Sequence, residues 1–261
     1  MKENRHQLTE RSKKLLYTSI GVVFIFVVWE ILALSINNDF IFPNIVTLFT
    51  RFGELFINGE VWLGFLESFG RTLGALGISL VLAFGLGLLG GLFSRFRYFF
   101  RPIIEVLKLV PTPCVIFLIF LYLGKTPNLG SIIITSLVVF PILYESFVTG
   151  LLNIDDSIKM SLRLEGYYSA KSIFKVQLSE AFPYLMLGVL NTLGLGIKVS
   201  IVSEILLGTN KIWGIGRIIY LYKFDADFPG MFSLIILIVL MFLILDLLIF
   251  LGKKSLKKWL R

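Results

Sequence analysis

From Leu73 to Phe93 the chain carries no charged side chain, and from Met231 to Phe250 it carries only Asp246. As helices rising ~1.5 Å per residue, such blocks are long enough to cross a hydrocarbon layer of roughly 30 Å. Their backbone groups would be satisfied within each segment, which makes helix the default inside a bilayer. A transmembrane barrel would alternate apolar and polar residues, and these blocks are continuous. A soluble domain is excluded by supply as well. Only 16% of the chain is charged, against about a quarter in soluble proteins, too few residues to surround so much apolar surface.

The pattern predicts an all-α integral membrane protein with six spans: residues 15–36, 69–93, 103–123, 129–150, 182–202 and 228–251. With the N-terminus inside, 18 of the 25 Lys and Arg residues fall in inner segments and five in outer loops, a bias that places both termini in the cytoplasm. The expected organisation is a cytoplasmic tail over 1–14, a transmembrane domain over 15–252 and a basic tail over 253–261. The net charge of +8 is thereby read as topology and contact with the lipid bilayer, with no nucleic acid partner, because no aromatic platform is interleaved with the basic residues. Lys13 and Lys14 before an apolar run resemble the start of a signal peptide. The run is long for one, and Asn37-Asn38-Asp39 follows it instead of a small-residue cleavage site, so a retained helix is expected. One cysteine, Cys114, and one histidine, His6, leave neither an internal disulfide nor a soft-metal site.

Two connections exceed simple turns. In the outer one, Ile45, Leu48, Phe49, Phe52, Leu55 and Phe56 recur at helical spacing, so residues 44–57 should form an amphipathic helix. The inner one, residues 151–181, reads as two short helices around Gly166. Asn153 or Asp155 can cap the first, Ile158, Leu162 and Glu165 share one face, and Lys159 and Arg163 share another. Gly166 suits the left-handed residue that ends a helix. Ser169 can cap a second helix running to Val176, with Ile173 and Phe174 as its apolar residues. Two roles fit this knob: docking into a partner's groove, or capping the bundle.

The run from Gly166 through Phe174-Lys175-Val176-Gln177-Leu178-Ser179-Glu180-Ala181-Phe182-Pro183 to Gly188 resembles the cytoplasmic signature of ABC importer permeases. Pro43-Asn44, Ser68–Arg71, Arg101-Pro102, Pro111-Thr112-Pro113, Ser203-Glu204 and Gly214-Ile215-Gly216 extend the resemblance over residues 40–250, toward the branch serving alkanesulfonate, taurine, nitrate and thiamine-precursor uptake. The chain departs from the signature in two places. Met160-Ser161-Leu162 stand where the family has Glu-Ala-Ala, and Leu178-Ser179 stand for its leucine–proline pair. The resemblance implies a type I importer permease fold in the cell's inner membrane. It further implies a second permease chain, expected as a homodimer, two cytoplasmic ATPase subunits and an extracytoplasmic solute-binding protein. Residues 155–176 would be the ATPase-coupling segment, using Ile158, Leu162, Arg163, Glu165, Gly166, Ser169 and Phe174. ATP and Mg would bind the partner ATPase and no cofactor this chain, which has no Gly-x-x-x-x-Gly-Lys-Ser/Thr loop of its own.

Ionisable groups inside spans are costly and ask for a reason. Glu145 and Lys198 are expected to face each other across spans four and five, as packing or as path. Glu204 is a pathway or gate residue or, alternatively, a hydrogen-bonding anchor for the outer loop. Asn191 opens a run of small residues, through Gly194 and Gly196, that permits close helix approach beside it. Pro111 and Pro113 should bend span three, as a fitted bend or a gating hinge. Gly74, Gly77, Gly85, Gly87, Gly90 and Gly91 predict a tight helix interface, within the chain or between two permease copies. Rival readings are a substrate-binding membrane subunit or self-contained carrier, which need no Gly166 knob, and a membrane enzyme, for which the spans lack a histidine-based constellation.

Overall fold

The computed structural model describes residues 2–166, 169–207 and 212–259. Lys211, Tyr167-Tyr168, the side chain of Glu165 and most side chains of the two basic tails lie outside the described residues. The regular structure of the described residues is all helical: α1 Lys2–Ile36, α2 Ile45–Ile57, α3 Gly59–Leu92, α4 Ser94–Leu109, α5 Thr112–Leu123, α6 Pro127–Leu152, α7 Asp156–Glu165, α8 Ala170–Ser172, α9 Leu178–Leu207, α10 Ile215–Phe224 and α11 Phe228–Trp259. Five helices are long and apolar enough to cross a membrane, namely α1, α3, α6, α9 with the turn before it, and α11.

The sixth span corrects the expectation. Residues 103–123 do not form one bent helix. α4 and α5 meet at 95°, and only as a pair do they pass as a span. The physical reason is at the junction. Pro111 has an extended ψ of 127°, caps α5, and is followed by Pro113 within the first turn. There the missing N–H groups cost nothing. The prolines thus start a helix and do not kink one. Prolines that do sit inside helices are Pro102, Pro141 and Pro183.

The chain divides into two compact units. The first comprises Met1–Asn58 and Leu221–Ile238. In it Asn44 caps α2, accepting the Thr47 N–H at 2.8 Å, and Glu30 accepts the Ile45 N–H at 3.0 Å, a carboxylate at the positive end of a helix. The Trp29 indole donates to the Pro43 carbonyl and stands edge-on to Phe232. Arg51 pairs with Asp227 at 2.6 Å and with Glu54 at 2.8 Å.

The second unit comprises Gly59–Tyr220 and Val239–Arg261. Its core is α6 packed between α3 and α9. Leu76, Ala83, Val139, Phe140, Leu143 and Tyr144 form one apolar cluster, and Phe147, Leu151, Ile154, Ala181 and Leu185 another. Part of the predicted glycine interface lies here, inside the chain. A methyl group on Gly87 would come within 2.7 Å of Phe147, and one on Gly91 would overlap Leu151. Gly77 and Gly85 face open space instead. On α9, a methyl on Gly188 would meet Ser146 of α6 at 2.7 Å, so this crossing depends on its absence.

Candidate functional site

α7 is built from its cap outward. The Asp155 carboxylate accepts both the Ser157 N–H at 2.8 Å and the Ser157 hydroxyl at 2.6 Å. The hydroxyl bond, then the backbone bond, hold this carboxyl below its ordinary pKa. Gly166 ends the helix at φ 103°, ψ 84°, where a Cβ would be strained. Leu162 is only 6% exposed, and Ile158 packs on the Phe147–Leu185 cluster. The Lys159 ammonium donates to the Leu152 carbonyl at the end of α6. α7 is therefore clamped to the ends of α6 and α9, while Met160, Leu164 and Phe174 turn outward, Leu164 being 88% exposed.

The second expected knob helix is corrected. Ser169 does cap a helix, its hydroxyl accepting the Ser172 N–H at 3.1 Å. That helix lasts only for Ala170–Ser172, then widens into a π turn over Ile173–Gln177 and runs straight on as α9. The segment is the base of span five. Within the π turn Phe174 is exposed and Gln177 is buried.

Three stretches far apart in sequence meet in one buried cluster. Glu204 is 0% exposed and Arg71 6%. The Glu204 Oε1 accepts from Arg71 Nε at 3.1 Å, Arg71 Nη2 at 2.8 Å and Ser200 Oγ at 3.2 Å. Its Oε2 accepts from Ser68 Oγ at 2.8 Å and the Gly216 N–H at 3.0 Å. Ser68 in turn accepts the Ile215 N–H at 3.0 Å. Arg71 also donates to Asn128 Oδ1 at 3.1 Å and to the Trp213 carbonyl. A Cβ on Gly214 would overlap both Arg71 and Glu204. Every acceptor position of the carboxylate is occupied by the chain itself, so α3, α6, α9 and the start of α10 are tied together through one ion pair. In the sequence Arg71 stands out only as the end of the Ser68–Arg71 stretch that carries the resemblance, and nothing local names its partner.

The expected pairing of Glu145 with Lys198 is overturned. Glu145 is held by Lys108 at 2.8 and 3.1 Å. The 95° break brings the end of α4 onto α6. Lys198 lies instead over the Phe242 ring, 5.3 Å from its centroid. The reason is length: Asn191 lines a pocket with Glu145, and seven further residues of helix carry Lys198 roughly 10 Å beyond it. That pocket, of about 300 Å³, is lined by Glu145, Ser146, Thr149, Tyr184, Gly188 and Asn191 among others. No group of three or more His, Cys, Asp or Glu residues placed to hold a metal occurs among the described residues.

Five long apolar helices and one broken pair, with α7 packed on the ends of α6 and α9, make this an all-α multi-span membrane protein. Residues 83–260 match the Binding-protein-dependent transport system inner membrane component family, and the chain belongs to it. It is accordingly an inner-membrane subunit of an ABC importer, which receives its solute through a binding protein and is coupled to an ATPase. Among relatives, it is 26% identical over 238 residues to a Bacillus subtilis (strain 168) protein named as a candidate aliphatic sulfonates transport permease, SsuC, covering 90% of this chain and 84% of that one. It is 22% identical over 228 residues to a probable ABC transporter permease protein of Brucella melitensis biotype 1, covering 87% and 90%. Its fold is similar to a chain of the MetNI methionine ABC transporter in inward-facing conformations, with TM-score 0.63, 16% identity and coverage of 75% and 95%. It is similar also to a chain of an amino acid ABC transporter solved with histidines, with TM-score 0.64, 15% identity and coverage of 79% and 96%.

Proposed function

We propose that α7 and its Gly166 corner form the element through which two cytoplasmic ATPase subunits, carrying ATP and Mg, drive a homodimer of this chain. The observation that carries the reading is the split of α7 into two faces. Ile158 packs on the α6–α9 core and Leu162 is buried beside it on the same face, while Met160, Arg163 and Leu164 face outward, and Phe174 of the π turn adds further exposed apolar surface. A clamped helix transmits displacement to the spans. Charges at its rim set register.

The same reading assigns the path. Glu145 and Asn191 line the pocket between α6 and α9, and Lys198 continues the Asn191 stripe one heptad outward. The Pro111–Pro113 break and the Lys108–Glu145 pair beside it are where alternating access would open and close. Glu204 is assigned to the outer clasp and not to the path, since its oxygens are already filled. The solute arrives on an extracytoplasmic binding protein, and an aliphatic sulfonate is the first class to test, on the strength of the SsuC relative.

The test uses the exposed face. Leu164→Asp with Met160→Asp should abolish co-purification of the ATPase and uptake, while the chain still inserts and is recovered at normal yield. Leu162→Asp is unsuitable alone, because it also unseats α7. Unchanged co-purification and uptake in the double variant would refute the reading.

A further inference from the structure

α4 carries three distinct stripes. Phe100 and Ile104 face the core, and Phe99, Ile103 and Val106 form an exposed apolar row. Arg97, Arg101, Glu105 and Lys108 form a charged row on the other side. A helix with this division, which enters the broken span from the end of α3, can turn its apolar row to lipid and its charged row toward the membrane surface. The charge bias puts it at the inner surface. Tyr98, exposed beside Arg97, is the amphipathic ring favoured at that level.

Between the charged row and α6 lies a pocket of about 380 Å³, bordered by Arg97, Arg101, Glu105, Tyr144, Glu145 and Thr149 among others. Its charges are not used up internally. Arg97 makes one bond, to the Gly90 carbonyl at 3.2 Å, and the Arg101 and Glu105 side chains make no hydrogen bond or ion pair with another described residue. Glu145 is neutralised by Lys108. Tyr144, only 4% exposed, keeps a buried hydroxyl without a partner among the described residues. Two guanidinium groups one turn apart are suited to a phosphate, which they can grip through paired N–H donors. Glu105 follows one further turn along, roughly 6 Å on; it feels the charge of Lys108, whose ammonium is bonded to Glu145, but holds no ion pair of its own among the described residues, so a carboxylate able to take a cation stands next to the anion seat. An anion alone would leave Glu105 facing it unfavourably; an aminoethyl phosphate satisfies both ends.

We propose that this pocket seats the headgroup of an inner-leaflet phosphatidylethanolamine, its phosphate on Arg97 and Arg101 and its ammonium on Glu105. The exposed apolar row of α4 then meets the acyl chains. Basic pockets between spans at the cytoplasmic side are a known means of holding lipid phosphate; the adjoining carboxylate makes this one selective for a zwitterion.

The full-length protein, purified in mild detergent with any partner subunits that remain attached, is delipidated. It is then offered phosphatidylethanolamine, phosphatidylglycerol, soluble phosphoethanolamine or inorganic phosphate, and retained adducts are counted by native mass spectrometry. Phosphatidylethanolamine should be retained about tenfold more strongly than phosphatidylglycerol. Arg101→Gln, which breaks no internal bond, should lower retention of both lipids about tenfold. Glu105→Gln should erase the preference between them, while Lys125→Gln changes neither. Equal retention of the two lipids by the unaltered protein, unchanged retention in Arg101→Gln, or occupancy by phosphoethanolamine or phosphate that matches the lipid would each overturn the proposal.

Discussion

Replacing Glu204 by Gln removes one charge and almost no volume, which makes it a sharp probe of the buried clasp. The carboxylate collects five donors, three on Oε1 and two on Oε2. A glutamine has one oxygen to offer. If that oxygen stays on the Arg71 guanidinium, the amide N–H₂ faces Ser68 and the Gly216 N–H. The Ser68 hydroxyl can rotate to accept, but the Gly216 N–H cannot, and it is orphaned. If the amide turns over, it confronts two N–H donors of Arg71. Either way Arg71, 6% exposed, loses its full countercharge. Breaking a buried pair from one side costs about 3–5 kcal/mol. Glu67, 3.5 Å from Arg71 and 60% exposed, keeps a diluted part of the attraction and sets the expectation at the lower end, about 3 kcal/mol. At about 1.4 kcal/mol per factor of ten, the segment from Trp213 to Gly216 should open roughly a hundredfold more often.

Ile212, 1% exposed and next to the clasp, is a reporter position. In a Cys114→Ser background, Ile212→Cys should react with a membrane-impermeant maleimide roughly a hundred times faster when Glu204→Gln is added, because labelling follows the open population. The double variant Arg71→Met with Glu204→Met should label more slowly than Glu204→Gln, since no stranded charge remains. A change under threefold in Glu204→Gln would refute the clasp. If uptake were lost while labelling stayed unchanged, Glu204 would belong to the path.

Gly166→Ala forces a side chain onto φ 103° and should cost roughly 1–3 kcal/mol, read as weaker stimulation of the partner ATPase by solute-loaded binding protein at unaltered expression. The Asp155 cap has a folded pKa below its unfolded one, so its contribution is complete above the unfolded value and is lost as pH falls through the folded one. ATPase co-purification should therefore be flat from neutral down to about pH 5, and Asp155→Asn, which removes the charge but keeps an acceptor, should flatten any remaining fall below it. Glu145→Gln should change thermal stability by no more than about 1 kcal/mol, because the Lys108–Glu145 pair is only partly enclosed. It should nonetheless lower uptake severalfold if α4 must stay latched to α6, and equal uptake would remove the pair from the mechanism.

What the sequence disclosed, and what it withheld, divides by range. The helix signals at residues 44–57 and at Asp155–Gly166 are local and reappear in the structure within a residue or two, α2 starting at Ile45 and α7 ending before Gly166, while the apolar blocks mark five spans whose ends lie up to ten residues away, α3 starting at Gly59 where residue 69 was expected. Ion pairing is not local. In and beside the spans the sequence offers three cations, Arg71 and Lys198 within them and Lys108 at the inner edge, and two acids of interest, Glu145 and Glu204, and spacing alone does not choose among the matches. The choice is made by two features invisible to periodicity. A 95° break folds α4 back so that Lys108, not Lys198, reaches Glu145. The glycines Gly214 and Gly216 let backbone come close enough for Glu204 to reach both Arg71 and an N–H of α10. The same logic explains why Pro111 misled: a proline between two helices and a proline within one leave the same mark in a sequence, and only the ψ of 127° at Pro111 tells them apart. Where a polar residue interrupts an apolar span, the informative question is therefore which chain break or glycine lies within one helical turn of it, since that is what lets a distant partner arrive.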